Sequence, residues 1–386
     1  MRKICVVTGS RAEYGLLSGL MLSIKDDSTL HLQVIATNMH LSPEFGLTYK
    51  EIEADGFVID KKVEMLLSSD TSNGTTKSVG LATIGFADAY EDLKPDLLVV
   101  LGDRYEILAA VTAALFYKIP VAHLYGGEIT EGAYDDSIRH AITKMSHLHF
   151  TSTENYRNRV IQMGESPERV FYVGAIGVEN ATNLKLMSKK DLEKNLDFTL
   201  GEKSILVTFH PVTLENATAQ EQCGNLLRAL EELRDYRIIF TMSNSDTDGR
   251  IIRLMIEEYV DVHQDQAVVF NSLGKIRYLS LLQYITVVVG NSSSGLVEVP
   301  SFRKPTLNIG DRQRGRISGP SVIHCGSTYE EIVEGLQSAL TETMLKKAEK
   351  GQNPYYKADT IKSIKEVIKG YPLENIIQKS FYNIDI

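Results

Sequence analysis

Residues 94–128 read KPDLLVVLGDRYEILAAVTAALFYKIPVAHLYGGE. Pro95 and Pro120 each close a helix just ahead of an apolar run, because a residue that precedes proline disfavours the helical region. The runs 97–101 and 121–124 read as strands, and 107–116 between them reads as a helix. A strand, a covering helix and a second strand make one unit of a parallel sheet.

The same alternation extends in both directions. Upstream, strand patterns fall at 4–8 and 32–37, with helical patterns at 14–24 and 75–92. Downstream come strands at 149–152 and 170–173 and helices at 138–145 and 155–163. The rhythm breaks across 174–203, then restarts with strands at 205–208, 238–241, 268–270, 285–289 and 306–309. The expectation is an α/β protein of two doubly wound domains, 1–175 and 176–354. A last segment, 355–386, carries a helical pattern (Ile361, Ile364, Val367, Ile368) and a frayed tail.

A chain of 386 residues exceeds what one ordinary core supports, which agrees with two domains. The net charge of -9 argues against a nucleic-acid binder, which needs a basic surface, yet leaves room for arginines clustered on one small anion. Cys5, Cys223 and Cys325 form no C-x-x-C pair, against both a disulfide framework and a thiolate zinc site. The apolar run at the amino terminus is too short for a signal peptide, and no stretch approaches the roughly 20 apolar residues that span a bilayer. A soluble, cytoplasmic protein with no membrane or nucleic-acid partner is expected.

In open α/β sheets ligands bind beyond the carboxyl ends of the strands, so the loops after the strands carry the chemistry. The first is Thr8-Gly9-Ser10-Arg11-Ala12-Glu13-Tyr14-Gly15. Gly9 either lets backbone N–H groups approach an anion or is a spacer in a tight turn; Arg11 favours a phosphate or carboxylate partner. Neither G-x-G-x-x-G nor a P-loop is present. The turn Gly102-Asp103-Arg104-Tyr105-Glu106 offers Asp103 as an acid or as a helix cap. Tyr125-Gly126-Gly127-Glu128 places an acid behind paired glycines, and Asp135-Asp136-Ser137-Ile138-Arg139-His140 comes next, with Arg139 able to grip a carboxylate bidentately. Adjacent strands bring Asp103, Glu128 and Asp136 toward one crevice, where clustered carboxylates suit proton transfer. His140, His147 and His149 fit structural or helix-end roles better than a metal.

In the second half, His210-Pro211 sits at a strand end, and Ser243-Asn244-Ser245-Asp246 lies after another. Gly290-Asn291-Ser292-Ser293-Ser294-Gly295 makes a nest of N–H and hydroxyl donors for a diphosphate, with Glu298 placed to accept from a ribose diol. The frame of a G-x-S-x-G nucleophile fails. Arg312-Gln313-Arg314-Gly315-Arg316 reads as a clamp on an anion.

In this order and spacing these motifs resemble the hydrolysing UDP-N-acetylglucosamine 2-epimerases, in particular the bacterial branch serving sialic and legionaminic acids of surface polysaccharides, over nearly the whole chain. The resemblance implies a glycosyltransferase-B-like fold, two Rossmann-like domains with the active site in the interdomain cleft and a carboxy-terminal helix returning to the first domain. It implies catalytic roles for Asp103, Glu128, Asp136 and His210. It gives Ser292, Ser293 and Ser294 the diphosphate, Glu298 the ribose, and Arg11 and Arg316 the phosphate oxygens. Gly9, Arg104, Arg139, Asn244 and Arg312 complete the substrate-binding set.

The implied reaction is elimination of UDP to a 2-acetamidoglucal and then rehydration, with no cofactor or metal. The implied assembly is a homo-oligomer, dimer or tetramer. UDP-N-acetylglucosamine, giving N-acetylmannosamine, is the expected substrate; UDP-2,4-diacetamido-2,4,6-trideoxyglucose is the alternative. The segments 40–45, 129–134 and 316–322 are expected to meet the distinguishing end of the sugar, His40 and Glu131 through hydroxyls, Phe45, Ala133 and Tyr134 through a methyl. The rival readings are a retaining glycosyltransferase, a non-catalytic nucleotide-sugar-binding module and a non-hydrolysing 2-epimerase that retains UDP on its product.

Overall fold

A computed structural model describes residues 1–67, 69, 71–131, 133–212, 219–242 and 249–384, with the side chains of 182 and 183 left aside. Among these residues the first sheet is built from β1 (Arg2–Thr8), β2 (Leu30–Thr37), β3 (Lys61–Val63), β4 (Leu97–Leu101), β5 (Val121–Leu124), β6 (Leu148–Thr151) and β7 (Val170–Tyr172). The second contains β8 (Ser204–Thr208), β9 (Arg237–Thr241), β10 (Ala267–Phe270), β11 (Val287–Gly290), β12 (Thr306–Ile309) and β13 (Val322–Cys325). The spatial orders are β3-β2-β1-β4-β5-β6-β7 and β10-β9-β8-β11-β12-β13. Every pairing is parallel. Both are Rossmann-type orders, and each reverses direction at one point: between β1 and β4, and between β8 and β11.

The chain divides into two compact units. The first comprises Met1–Glu128, Asp135–Asn180 and Tyr355–Ile386; the second comprises Ile129–Tyr134 and Ala181–Pro354. The sequence pattern has no counterpart for the Ile129–Tyr134 segment, which groups with the second unit although its neighbours on both sides belong to the first.

Strand interiors are apolar on both faces because helices cover both; β4, for instance, is buried along its length. The helix Arg11–Lys25 begins at Ser10, whose hydroxyl caps the Glu13 N–H, and buries Leu17, Leu20, Met21 and Ile24 at helical spacing. Two strands are absent from the sequence-based expectation. β3 is three residues at a sheet edge and begins with two lysines, the usual guard of an open edge. β13 is an edge strand as well and is only half-buried. Among the described residues no helix is long and apolar enough to cross a membrane.

The helix Thr360–Gly370 packs Ile364 and Ile368 into the same core as Leu17, Leu20 and Ile24. The tail beyond this helix is not frayed, and this corrects the expectation from sequence. Ile376 is buried in that core. Lys379 Nζ donates to both oxygens of Glu165 at 2.9 Å and to the carbonyls of Lys144 and Ser146 at 2.7 Å. The Tyr382 N–H donates to the Gly164 carbonyl at 2.9 Å. The cause is Glu165, 1% exposed, which also receives Lys144 at 2.6 Å and faces His149 Nε2 at 3.0 Å. A carboxylate out of water must be paired, and the tail brings one of its cations.

Burial alone would raise the Glu165 carboxyl, but His149, Lys144 and Lys379 together hold it down to about 2. A depressed carboxyl contributes stability above its unfolded value, near 4.5, and loses it as pH falls through about 2. Lys379→Met is therefore expected to cost about 1–3 kcal/mol at pH 7. The penalty should shrink as the solution approaches pH 2, read by denaturant unfolding of both proteins across that range.

Candidate active site

In the first unit the loops beyond β1, β4 and β5 lie at or beside the reversal point of the sheet, where the parallel order leaves an opening. Three of the expected acids are gathered there by Arg139, whose guanidinium is 1% exposed. Arg139 Nη2 pairs with Asp103 Oδ2. Its Nη1 donates to the Glu128 carbonyl at 3.0 Å and to Asp136 Oδ1 at 3.3 Å. The helix Asp135–Met145 makes this possible, because Asp136 and Arg139 are one turn apart on the same face. Asp136 Oδ2 also lies 3.4 Å from His140 Nε2. Burial lowers the His140 imidazole, opposed by the charge of Asp136.

Glu128 is 2% exposed and accepts from Ser152 Oγ at 2.7 Å. The turn that presents it needs glycine at Gly127: its φ is +81°, and a methyl there would sit 2.5 Å from the Tyr156 carbonyl oxygen. Asp103 is an ion-pair partner rather than a helix cap: the helix Tyr105–Phe116 has Arg104 at its N-cap position with no side-chain cap.

A residue that the sequence motifs do not single out binds these loops together. His123, buried on β5, places Nε2 2.7 Å from the Gly102 carbonyl, so that nitrogen carries the proton. Its Nδ1 lies 3.2 Å from Thr143 Oγ1, on the helix that bears Arg139. Burial pushes His123 down to about 3, so it is a neutral strut at any working pH. The available signal was a histidine on the strand that ends in the Gly-Gly-Glu turn. His147 and His149 have structural partners, Val121 N–H and Glu165 respectively.

Gly9 departs from its expected role in anion binding. Its N–H already donates to Glu13 Oε2 at 2.5 Å, and a methyl on it would overlap the Glu106 carboxylate. Close approach of a buried side chain explains this glycine, in line with the spacer alternative. Arg11 forms a bidentate pair with Glu51, and Arg104 Nε donates to Glu106 at 2.8 Å. His40 also departs from expectation. It is fully buried, Nε2 lies 3.1 Å from Thr8 Oγ1 and Nδ1 2.8 Å from Thr48 Oγ1, so both ring nitrogens are engaged within the fold.

In the second unit the hub is Asn291, fully buried at the end of β11. Its amide accepts from the His210 N–H at 2.7 Å and donates to the His210 carbonyl at 2.8 Å, locking the loop after β8 to the loop after β11. The Asn291 carbonyl receives Arg312 Nη1 at 3.1 Å and Gln313 Nε2 at 2.9 Å, and Gln313 Oε1 receives Arg316 Nη1 at 3.0 Å. His210, the serine loop and the arginine loop thus converge, with Asn291 and the buried Gln313 as supports that residue type alone did not flag.

Ser292 and Ser293 are half-buried, and Ser294 Oγ accepts from Tyr278 at 2.7 Å, which leaves the serine proton to donate elsewhere. The helix they open is a single turn, Ser294–Val297, with Glu298 9% exposed at its end. Arg314 faces Glu131 at 3.3 Å and Asp311 at 3.6 Å. The Glu131 N–H meets the Arg314 carbonyl at 3.3 Å, which ties the Ile129–Tyr134 segment to the arginine loop. Asn244 lies outside the described residues.

A family model described as UDP-N-acetylglucosamine 2-epimerase matches residues 22–369. The chain belongs to that family. It is 43% identical, over 99% of both chains, to a protein of Campylobacter jejuni named GDP/UDP-N,N'-diacetylbacillosamine 2-epimerase (hydrolyzing). It is 38% identical, over 100% of its own length and 98% of the relative's, to polysialic acid biosynthesis protein P7 of Escherichia coli. Among solved structures, the UDP-GlcNAc 2-epimerase of Neisseria meningitidis bound to UDP-GlcNAc superposes with a TM-score of 0.77 at 21% identity, covering 95% of this chain and 99% of that one. That likeness shows the fold, glycosyltransferase-B-like with two parallel α/β sheets. Family membership supports 2-epimerase activity.

Arg139→Gln is expected to lose about 1–3 kcal/mol at pH 7, because it leaves the half-buried Asp103 and Asp136 and the Glu128 carbonyl without their shared donor. Denaturant unfolding of both proteins at pH 7 measures it.

Proposed function

We propose that this chain is a hydrolysing 2-epimerase of a UDP-linked 2-acetamido sugar. The observation that carries the reading is the pairing of Asp103 and Asp136 with one buried guanidinium that also holds the backbone carbonyl of Glu128, at the reversal point of a sheet, in a chain of this family. A carboxylate takes the proton from carbon 2, the carbon 1–carbon 2 double bond forms, and the carbon 1–oxygen bond breaks with its electrons leaving on UDP. Water then adds its hydroxyl at carbon 1, while a proton returns to carbon 2 on the opposite face. The product is a free sugar of inverted configuration.

Carbon 2 bears no carbonyl to acidify its proton, so departure of a stabilised diphosphate has to drive the step. That task is assigned to Ser292, Ser293, Ser294, Arg312 and Arg316, with His210 beside them, Arg11 and Arg104 as further phosphate partners, and Glu298 on the ribose. A retaining glycosyltransferase would share such a nucleotide wall but has no use for three gathered acids.

For the sugar, the reading favoured is a 2,4-diacetamido-2,4,6-trideoxy hexose. The 43% identity to the Campylobacter jejuni protein supports it. So does His40: with both ring nitrogens engaged, it is withdrawn from the groups expected to bond sugar hydroxyls. UDP-N-acetylglucosamine is the second reading, favoured by the 38% identity to a protein of polysialic acid biosynthesis.

In heavy water, turnover is expected to release UDP and to place deuterium at carbon 2 of a free manno-configured sugar, monitored by NMR. Product still attached to UDP, or free of deuterium, overturns the reaction. Asp103→Asn, Glu128→Gln and Asp136→Asn should each lower kcat by about 10²–10⁴ while UDP still binds. Comparing kcat/KM on the two sugars decides the substrate, since a site built around missing hydroxyls rejects by about 10⁴. A hundredfold preference for UDP-N-acetylglucosamine would reverse the assignment of the sugar.

A further inference from the structure

Two acids that this reaction does not use are buried side by side at the β1 loop. Glu13, 5% exposed, holds the Gly9 N–H through Oε2 at 2.5 Å. Glu106, fully buried, crowds the same glycine and receives Arg104 Nε on Oε1 at 2.8 Å. Each carboxyl thus spends one oxygen on a donor. The other oxygen of each, Glu13 Oε1 and Glu106 Oε2, is buried without a hydrogen-bond partner. Two carboxylates cannot stay ionised at such close quarters out of water. A proton on one of them removes one of the charges.

We propose that Glu13 and Glu106 form a carboxylic acid–carboxylate pair sharing a single proton at neutral pH, and that Glu13 is thereby a positioning residue for the β1 loop and Arg104. The proton resides on Glu13, whose carboxyl is pushed up to about 8 by burial and by the charge of Glu106, against the Gly9 N–H and Arg104. Glu106 keeps Arg104. Other ionisable groups near this loop are Arg11, paired with Glu51, His40, which burial and the charge of Arg11 lower to about 4, and Tyr14, which donates to Asp55 at 2.6 Å and is raised by burial. None of these competes for the proton at neutral pH. Ionising Glu13 would set two anions against the glycine that leads into Arg11 and would loosen both loops at the reversal point of the sheet.

The consequence for turnover rests on the proposed reaction, whereas the shared proton does not, so each has its own readout. At pH 7 the infrared spectrum of the wild-type protein should show the band of a protonated carboxyl, and Glu13→Gln should lack it. Absence of the band, or its persistence in the variant, overturns the pair. A carboxyl raised in the folded state stabilises below its unfolded value and loses that stability as pH rises to its folded one. The unfolding constant of wild type relative to Glu13→Gln should therefore rise by up to about tenfold per pH unit from about 4.5 to about 8, then level off. A ratio independent of pH overturns the proposal.

If Glu13→Gln fails to fold, Glu106→Gln serves: removing its charge should shift the carboxyl titration of Glu13 to lower pH, and an unmoved titration refutes the pair. In turnover, Glu13→Ala should raise KM for the nucleotide sugar tenfold or more, and Glu13→Gln should recover most of that loss. Equal damage from both variants denies Glu13 its positioning role. A band and a titration as expected in a protein that turns over neither sugar would sink the reaction while the pair stands.

Discussion

Arg139 is the side chain on which the first unit's chemistry is built. A guanidinium withdrawn from water is expensive, and only well-placed anions and carbonyls offset that cost. Here Asp103, Asp136 and the Glu128 carbonyl supply them, so two of the carboxylates proposed to move protons also make the cation's burial tolerable. The arrangement works in the other direction too. Two carboxylates near one another repel, and a cation fixed between them offsets that repulsion. Neutral His123 completes the frame by tying the Gly102 carbonyl to the helix that carries Arg139, without adding a charge that would compete. Asp103 and Asp136 cannot be removed without a structural penalty, so kinetic and stability effects have to be measured on the same variants.

The fold was legible because its signals are local. Proline before β4 and β5, glycine after β1, β4 and β5, and the alternation of strand and helix patterns locate β1, β2 and β4 to β12 within a few residues. The strands that escaped, β3 and β13, are short edge strands whose sequence carries little period. The gathering of Asp103, Glu128 and Asp136 was legible for a related reason: adjacent parallel strands place their carboxyl-end loops side by side, so topology alone brings the acids together. The supports were not legible. Asn291 grips the backbone of His210 across 81 positions in sequence, and Glu13 meets Glu106 by way of a glycine. Pairings of that kind depend on which side chains share an interior, and no local pattern announces them.

The tail shows the same division. The periodicity of Ile361, Ile364, Val367 and Ile368 announced a packed helix, and the structure has one. The residues after it have no periodicity, and they are held by Ile376 in the core and by a buried carboxylate, Glu165, that collects Lys379 along with Lys144 and His149. Hydrophobic order is written in repeats, whereas polar order of this sort is written in one residue at each end.

The two units solve one architectural problem with different hubs, and the difference tracks charge. Each must join three loops at the reversal point of a Rossmann-type sheet. In the first unit the loops carry acids, and the hub is a cation. In the second the loops carry His210, hydroxyls and arginines, the groups proposed to meet a diphosphate, and the hub is Asn291, a neutral amide that offers donor and acceptor alike. A carboxylate in place of Asn291 could accept the His210 N–H but could not donate to its carbonyl, and its charge would draw Arg312 inward, away from a phosphate. A lysine would crowd the arginines and accept nothing. An amide alone joins the loops while leaving the positive field of Arg312 and Arg316 for an anionic leaving group, the field an elimination from an unactivated carbon needs.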